Sequence, residues 1–250
     1  MPVFEAEAIV LRQYPLSDSD RIIVFITREY GKIRSAAKGV KKIQSHMAGS
    51  LEPLNHIRLE FYTREGRDLG QIRQVELVHS YLGMNPDLKR ICAFNYFAEI
   101  AGEIAQDNQA NAPLFRLLLA VLQSGEKHAV NQALIRYFEI WCLKLSGLFP
   151  NYGYCSNCGK CVKDERFFAR LEAGQGLCST CARGRGLKIG ASASAALERM
   201  TKLSPEQFMT YPLSEEAAGD LERLSGRLLD LHLEKRLKSY RILKEAFQSQ

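Results

Sequence analysis

The sequence predicts a multi-domain α+β protein in which a small N-terminal barrel precedes an all-helical domain with an inserted four-cysteine zinc module. Three observations predict it. Short alternating or β-branched segments fill about the first eighty residues. Apolar residues then recur at intervals of three and four. Two Cys-x-x-Cys pairs interrupt this second pattern. We therefore expect an OB-fold barrel at 1–82, a helical domain at 83–250, and the zinc-binding insert at 151–187 within it.

The barrel rests on five strand candidates. They lie at residues 4–14, 21–27, 32–38, 54–63 and 70–80. Clusters of Ser and Asp at 17–20 and of polar residues at 64–68 supply turns. Five short strands without a long helix among them are typical of an OB-fold, and an SH3-like barrel is the next candidate.

The helical pattern begins at Asp87, a favourable N-cap residue, and runs to about residue 106. A second helix follows Pro113, and a third spans about 127–147 before Gly147 and Pro150. Further helices are expected at 192–202 and at 214–247, with a break near Leu231. The apolar stripes of these helices indicate core rather than cofactor contacts.

The two cysteine pairs, Cys155/Cys158 and Cys178/Cys181, have the spacing of a structural zinc ribbon. Thiolate ligands in a tetrahedral set favour Zn²⁺ over Mg²⁺ or Ca²⁺, although iron also occupies such sites. Four protein ligands leave no open position for water or substrate, so the zinc would be structural. Cys161 leaves an alternative, in which Cys158 and Cys161 form the first pair. Gly159 favours the first assignment, because a small residue eases the tight turn after the second cysteine.

Net charge and hydropathy describe an ordinary globular protein. The formal net charge is +6, which is compatible with nucleic acid without proving it. The N-terminus lacks the features of a signal peptide, and no apolar run approaches the length of a membrane span. We therefore expect a cytoplasmic protein without a membrane partner.

The candidate binding surface is the segment 32–42, which contains five cations and no acid. They are Lys32, Arg34, Lys38, Lys41 and Lys42. The first three share strand parity, and a one-sided row of cations on a small barrel can follow a phosphate backbone. A solvated strand face explains the same residues without a ligand. Phe61, Tyr62 and Tyr81 are available to stack on bases, and each can equally belong to the core.

Two further basic stretches are less specific. Lys235, Arg236, Lys238, Arg241 and Lys244 spread over more than one face of the C-terminal helix, as solvated surface does. Arg183, Arg185 and Lys188 follow the second cysteine pair and can extend a basic surface across the zinc module.

The sequence contains little that indicates catalysis. The sequence has no phosphate-binding glycine loop, no nucleophile elbow, and no histidine pair of metalloprotease type. We therefore expect a binding protein rather than an enzyme.

Taken together, these segments resemble the bacterial recombination mediator family RecO over essentially the whole length. The likeness lies in Ala8–Leu11, Asp18–Ile22, Thr27–Ile33, Ala37–Val40, Ser45, the four paired cysteines, Leu231–Glu234 and Ser239–Leu243. Some members of the family lack the full cysteine set, so the likeness implies zinc for this branch only.

The resemblance implies a DNA repair and recombination protein. It would bind single- and double-stranded DNA, anneal complementary strands, and, with the mediator RecR, help load RecA onto DNA coated by the single-stranded DNA-binding protein SSB. The acidic C-terminal tail of SSB and RecF are further implied partners, and the location would be nucleoid-associated. The five cations of segment 32–42 match the family's DNA-contact region.

Two alternatives stay open from the residues. The zinc module and helices can instead form a protein–protein interaction scaffold without direct DNA contact. A zinc hydrolase is the third hypothesis, and it requires an open coordination position that four cysteines do not leave.

Overall fold

The computed structural model of the chain describes residues 3–42, 45–63, 69–83, 86–233 and 235–248. They form two compact units: Met1–Lys127 with Leu237–Gln250, and His128–Arg236. We call them the barrel unit and the helical unit. The predicted domain boundaries at 1–82, 83–250 and 151–187 stay predictions. Within the described ranges, no helix combines the length and the apolar character needed to cross a membrane.

Five strands close the N-terminal barrel: β1 (Val3–Pro15), β2 (Arg21–Thr27), β3 (Gly31–Ala37), β4 (Asn55–Tyr62) and β5 (Leu69–Ser80). A short 3-10 helix, Gly49–Leu51, precedes β4. The strand order is β1-β2-β3-β5-β4, and β1 pairs with β4 to complete the ring. All pairs are antiparallel except β3 with β5. This is the OB-fold arrangement, so the predicted fold class is confirmed. The turn expected at 64–68 lies outside the described residues.

Alternation fills the barrel interior. Inward positions of the strands bury their side chains, among them Val10, Phe25, Ile33 and Leu59. Phe61 belongs to this core and stacks on Phe4 with ring centroids 5.5 Å apart. Tyr81 is also buried. These two rings are therefore core residues and not free platforms for bases.

Eight α-helices are found among the described residues: α1 (Leu88–Ile104), α2 (Ala112–Lys127), α3 (Gln132–Leu145), α4 (Ser179–Ala182), α5 (Ala191–Met200), α6 (Pro205–Met209), α7 (Glu215–His232) and α8 (Lys238–Gln248). Asp87 caps α1 as predicted, because its carboxylate accepts the Arg90 amide at 2.8 Å. The short α6 follows a capping box at Ser204 and was not predicted.

The last helix returns to the barrel unit and packs on α1. Glu99 of α1 accepts the backbone amides of Lys238 and Ser239 at 3.2 and 2.8 Å, so it caps α8 from outside that helix. Burial raises the pKa of Glu99, but the hydroxyl and amide of Ser239 and the Lys238 amide outweigh it and hold that pKa below its ordinary value.

In the helical unit, α3 contributes a buried ion pair. Arg136 Nη1 lies 3.1 Å from Glu139 Oε2, and both side chains are almost wholly excluded from solvent. The hydroxyl of Ser225 on α7 donates to the same carboxylate. The pair therefore joins α3 to α7 through the interior of the unit.

A small sheet lies among these helices. Strands β6 (Phe167–Arg170), β7 (Gln175–Cys178) and β8 (Leu187–Ile189) form it, with β6 in the centre. We call residues 151–189, which contain this sheet and α4, the cysteine module. The sequence did not predict these strands, because three or four residues give too short an alternation to recognise.

Candidate metal centre and nucleic-acid interface

Four cysteines of the cysteine module converge on one point. The sulfur atoms of Cys155, Cys158, Cys178 and Cys181 all lie within 4.8 Å of one another, and those of Cys158 and Cys178 are 3.9 Å apart. A tetrahedral site with Zn–S bonds of about 2.3 Å needs sulfurs about 3.8 Å apart. The spacing and the soft donors therefore fit a structural metal ion.

The first cysteine pair sits on a tight turn. The Cys155 amide donates to Lys160 O at 2.8 Å, and the Gly159 amide donates to Cys155 O at 2.9 Å. Gly159 has φ +73°, a conformation that favours glycine, which is the local reason for its position here.

Hydrogen bonds prepare one of these sulfurs as a thiolate. Burial raises the pKa of Cys155, but backbone amides of Cys178, Cys158 and Asn157 donate to its sulfur and bring that pKa down to about 6. The side-chain amide of Asn157 also donates to the Cys181 sulfur at 3.3 Å. Metals bind thiolates, so the hydrogen bonds to the Cys155 and Cys181 sulfurs are compatible with their role as metal ligands.

Cys161 lies outside this cluster. It is exposed and forms an isolated β-bridge with Tyr154. Among the residues that the structure describes, Cys155 rather than Cys161 therefore joins Cys158 in the cluster.

Two of the five predicted DNA-binding cations are engaged within the barrel unit. Lys32 Nζ lies 3.1 Å from Asp107 Oδ1 and donates to Gly102 O at 2.9 Å. Arg34 Nη2 lies 2.7 Å from Asp107 Oδ2. Asp107 follows α1 and runs beside β3, since Asn108 donates its amide to Lys32 O at 2.9 Å. The strand part of the basic segment is thus partly neutralised.

The other three cations, Lys38, Lys41 and Lys42, form an exposed turn after β3. We call it the lysine loop. Lys41 Nζ donates to Ser17 O at 2.7 Å, and no ion pair links the three lysines to a carboxylate of the described residues. Their charge is therefore available to a ligand.

A hydrogen bond to the Asp20 carboxylate stabilises the lysine loop. Its Oδ1 accepts the Gly39 amide at 2.7 Å, and Lys41 donates its amide to Ser19 O at 3.0 Å. Gly39 has φ +65°, which the tight return of the chain requires. The bond from the Gly39 amide is the main cause that lowers the pKa of Asp20 below its ordinary value of 3.8.

Acidification should release the lysine loop. Because the folded-state pKa of Asp20 is lowered, its contribution is present above pH 3.8 and is lost as pH falls through the lower folded value. We expect Asp20→Ala to speed amide exchange at Gly39 near neutral pH, as measured by NMR. Asp18→Ala, in the same exposed turn, is the matched control and should leave that exchange unchanged.

Sequence reasoning missed Tyr14. It pairs in register with Ile22, which pairs with Ala36, so these side chains share the outer face with Arg34. Tyr14 is 46% exposed and lies at the end of β1, directly before the turn in which Ser17 O accepts the bond from Lys41. A signal was present in the sequence, because an aromatic residue directly precedes Pro15 and the polar turn.

The opposite charge collects elsewhere on the barrel unit. A cavity of about 550 Å³ along β1, β4 and β5 is lined by Glu5, Glu7, Glu29, Glu60 and Glu76. His56 and Arg28 contact Glu7 at 2.9 and 3.2 Å, so these acids are partly paired. The five carboxylates outnumber the cations of the lining, so this face is less favourable for a polyanion than the lysine loop.

An OB-fold barrel joined to helices and a four-cysteine cluster defines a multi-domain OB-fold protein with a candidate metal centre. Family models agree with this class and specify it. The model "Recombination protein O N terminal" matches residues 1–81, and "Recombination protein O C terminal" matches residues 85–241. The chain belongs to the RecO family, and the resemblance stated from the sequence is confirmed.

Curated relatives extend over nearly the whole chain. "DNA repair protein RecO" of Koribacter versatilis is 32% identical, covering 96% of this chain and 97% of the relative. The protein of that name from Anaeromyxobacter sp. (strain K) is 33% identical, and the alignment covers 95% of this chain and 94% of the relative. The one from Symbiobacterium thermophilum is 28% identical, and the alignment covers 97% of each chain. Family membership supports a role in DNA repair and recombination.

Proposed function

We propose that the protein is a DNA-binding recombination mediator that binds single- and double-stranded DNA and anneals complementary strands. With RecR it helps load RecA onto DNA coated by SSB. The observation that supports this most is the lysine loop, three exposed cations on an OB-fold barrel that form no ion pair with a carboxylate of the described residues. OB-folds bind single strands by combining a row of cations with aromatic side chains on which bases stack. Tyr14, an exposed aromatic residue of β1, is available for such stacking.

Annealing needs no covalent chemistry on this view. Two strands repel each other through their phosphates, and that repulsion opposes pairing. Cations that contact the backbones lower it and leave base edges free to pair. Lys38, Lys41 and Lys42 supply such contacts, while Lys32 and Arg34 contribute less because Asp107 already pairs with them.

The four clustered cysteines hold a structural Zn²⁺ in this proposal. The ion would supply a cross-link that fixes the cysteine module, and it leaves no coordination site for a reaction. The absence of catalysis stays a prediction.

The partners follow from the same charge logic. The acidic C-terminal tail of SSB is attracted to exposed cations, as DNA is. RecR, RecF and RecA enter through family membership alone, as does a nucleoid-associated location. We assign no residues to these contacts.

The salt dependence of single-strand binding tests the proposal. Each phosphate contact on a single strand contributes about 0.7 to the slope of log affinity against log salt. Replacing Lys38, Lys41 and Lys42 with glutamine should therefore lower that slope by about 2, measured by fluorescence anisotropy with a labelled oligonucleotide. The triple glutamate variant should bind still more weakly and anneal complementary strands more slowly.

Arg58→Gln with Arg73→Gln is the matched control. Both arginines are exposed on the barrel but pair with Glu76 and Glu60, so their loss should leave the slope unchanged. If the lysine variant binds as the wild type does, or the wild type binds no DNA at low salt, the protein-scaffold alternative replaces this proposal.

A further inference from the structure

The cysteine module has a basic groove of its own. The groove has a volume of about 500 Å³ and is lined by three arginines, Arg170, Arg183 and Arg185, together with small polar side chains and Cys181. None of its lining residues is acidic. It lies in the helical unit, whereas the lysine loop lies in the barrel unit.

The fold of the module brings the three arginines together. Arg170 ends β6, whereas Arg183 and Arg185 lie in the loop between α4 and β8. Gly186 fixes this loop against β6, because a Cβ at that position would lie 2.9 Å from Ala169 O. Ala169 directly precedes Arg170, so the close approach places the loop beside the end of the strand.

The arginines are free to meet a ligand. All three side chains are exposed, and none forms an ion pair with a carboxylate of the described residues. Arg183 adopts φ +49°, where glycine or asparagine is the favoured residue. This left-handed residue ends α4 and turns the chain toward β8.

The lining favours phosphate over peptide. Guanidinium groups match phosphate oxygens with two parallel hydrogen bonds, and the groove adds neutral donors from Asn157, Gln175 and Thr180. Its one large apolar lining residue, Leu177, is buried. The groove therefore presents charge and hydrogen-bond donors rather than apolar surface, which suits a phosphate backbone better than a peptide.

We propose that Arg170, Arg183 and Arg185 form a second binding site for a nucleic-acid phosphate backbone. The inference rests on the proposed DNA binding and adds to it a contact independent of the barrel. With one backbone site in each unit, a single chain has cations for each of the two strands that annealing brings together. Because Cys181 lines the groove and Asn157 contacts its sulfur, the second site depends on the cysteine cluster.

The test compares four proteins: the wild type, the lysine-loop variant with glutamine at positions 38, 41 and 42, the arginine variant Arg170→Gln/Arg183→Gln/Arg185→Gln, and the combination. The probes are a labelled single-stranded oligonucleotide, a duplex of the same sequence, and a polyglutamate peptide. We expect the arginine variant to lower the single-strand salt slope by about 2. The combined variant should lose most of the slope, and strand annealing should slow toward the protein-free rate in either variant.

Two controls keep the result interpretable. Lys160→Gln with Arg166→Gln removes exposed cations of the same module outside the groove and should bind as the wild type does. If the arginine variant loses its metal, Arg170→Gln with Arg185→Gln leaves the left-handed Arg183 in place and should still lower the slope by about 1.4.

Each outcome decides the question. Wild-type slope and annealing in both arginine variants overturn the inference, as does loss of peptide binding with oligonucleotide binding intact. An effect of the arginine variant without one of the lysine-loop variant supports the second site and contradicts the proposed role of the lysine loop. Absence of DNA binding by the wild type at low salt overturns both.

Discussion

Replacing Cys155 with serine should abolish metal binding and unfold the cysteine module. The module buries few large apolar side chains, among them Val162, Phe167 and Ile189. So small a core seldom folds without a metal or disulfides. In zinc-finger peptides the bound metal contributes on the order of 10 kcal/mol or more, which exceeds the stability of most domains.

Thiol reactivity measures this directly. In the zinc-loaded protein Cys92 and Cys142 are buried in helices, the four clustered cysteines would be ligands, and Cys161 is exposed. We expect Cys161 alone to react rapidly with a disulfide reagent. In the Cys155→Ser variant, Cys158, Cys178 and Cys181 should react rapidly as well, and metal analysis should find no bound zinc. A chelator should produce the same change in the wild type.

Cys161→Ser is the matched control because it removes a cysteine of the same spacing outside the cluster. It should retain one zinc per chain and lose the rapidly reacting thiol. Metal loss in this variant with metal retained in Cys155→Ser would show that Cys158 and Cys161 form the first pair after all.

The sequence was sufficient for features set by local chemistry. The five strands were placed to within one or two residues, because alternation of inward and outward side chains is a property of each strand alone. Each short spacing likewise brings its own two cysteines together in a turn. The two turns meet through a longer-range contact, in which the Ser156 amide donates to Gly176 O at 2.8 Å.

Contacts between residues far apart in the sequence could not be predicted. Asp107 neutralises Arg34 from 73 residues away, so the strand cations looked free in the sequence. The arginine groove needs β6 and the loop after α4 to meet, through strands too short to predict. Arg136 and Glu139 show the same limit, since their spacing on α3 also suits an ordinary exposed helix pair.

Removing one charge of the buried Arg136–Glu139 pair should strongly lower the free energy of unfolding. Glu139→Gln keeps the shape of the side chain but removes the negative charge that lies 3.1 Å from Arg136 Nη1. Breaking one partner of a buried ion pair costs about 3–5 kcal/mol. Trp141 is the single tryptophan of the chain, lies on the same helix, and donates its indole N–H to Met200 O at 3.2 Å. Its fluorescence during urea unfolding should therefore report the loss within the helical unit.

The comparison with two other variants separates charge from packing. Glu165→Gln breaks the exposed pair with Lys160 in the same unit and should cost at most about 1 kcal/mol, since solvent screens such pairs. Arg136→Met with Glu139→Leu removes both buried charges and should recover most of the lost stability. A double variant as unstable as Glu139→Gln would show that packing and hydrogen bonding at this site, rather than the buried charge of Arg136, determine the cost.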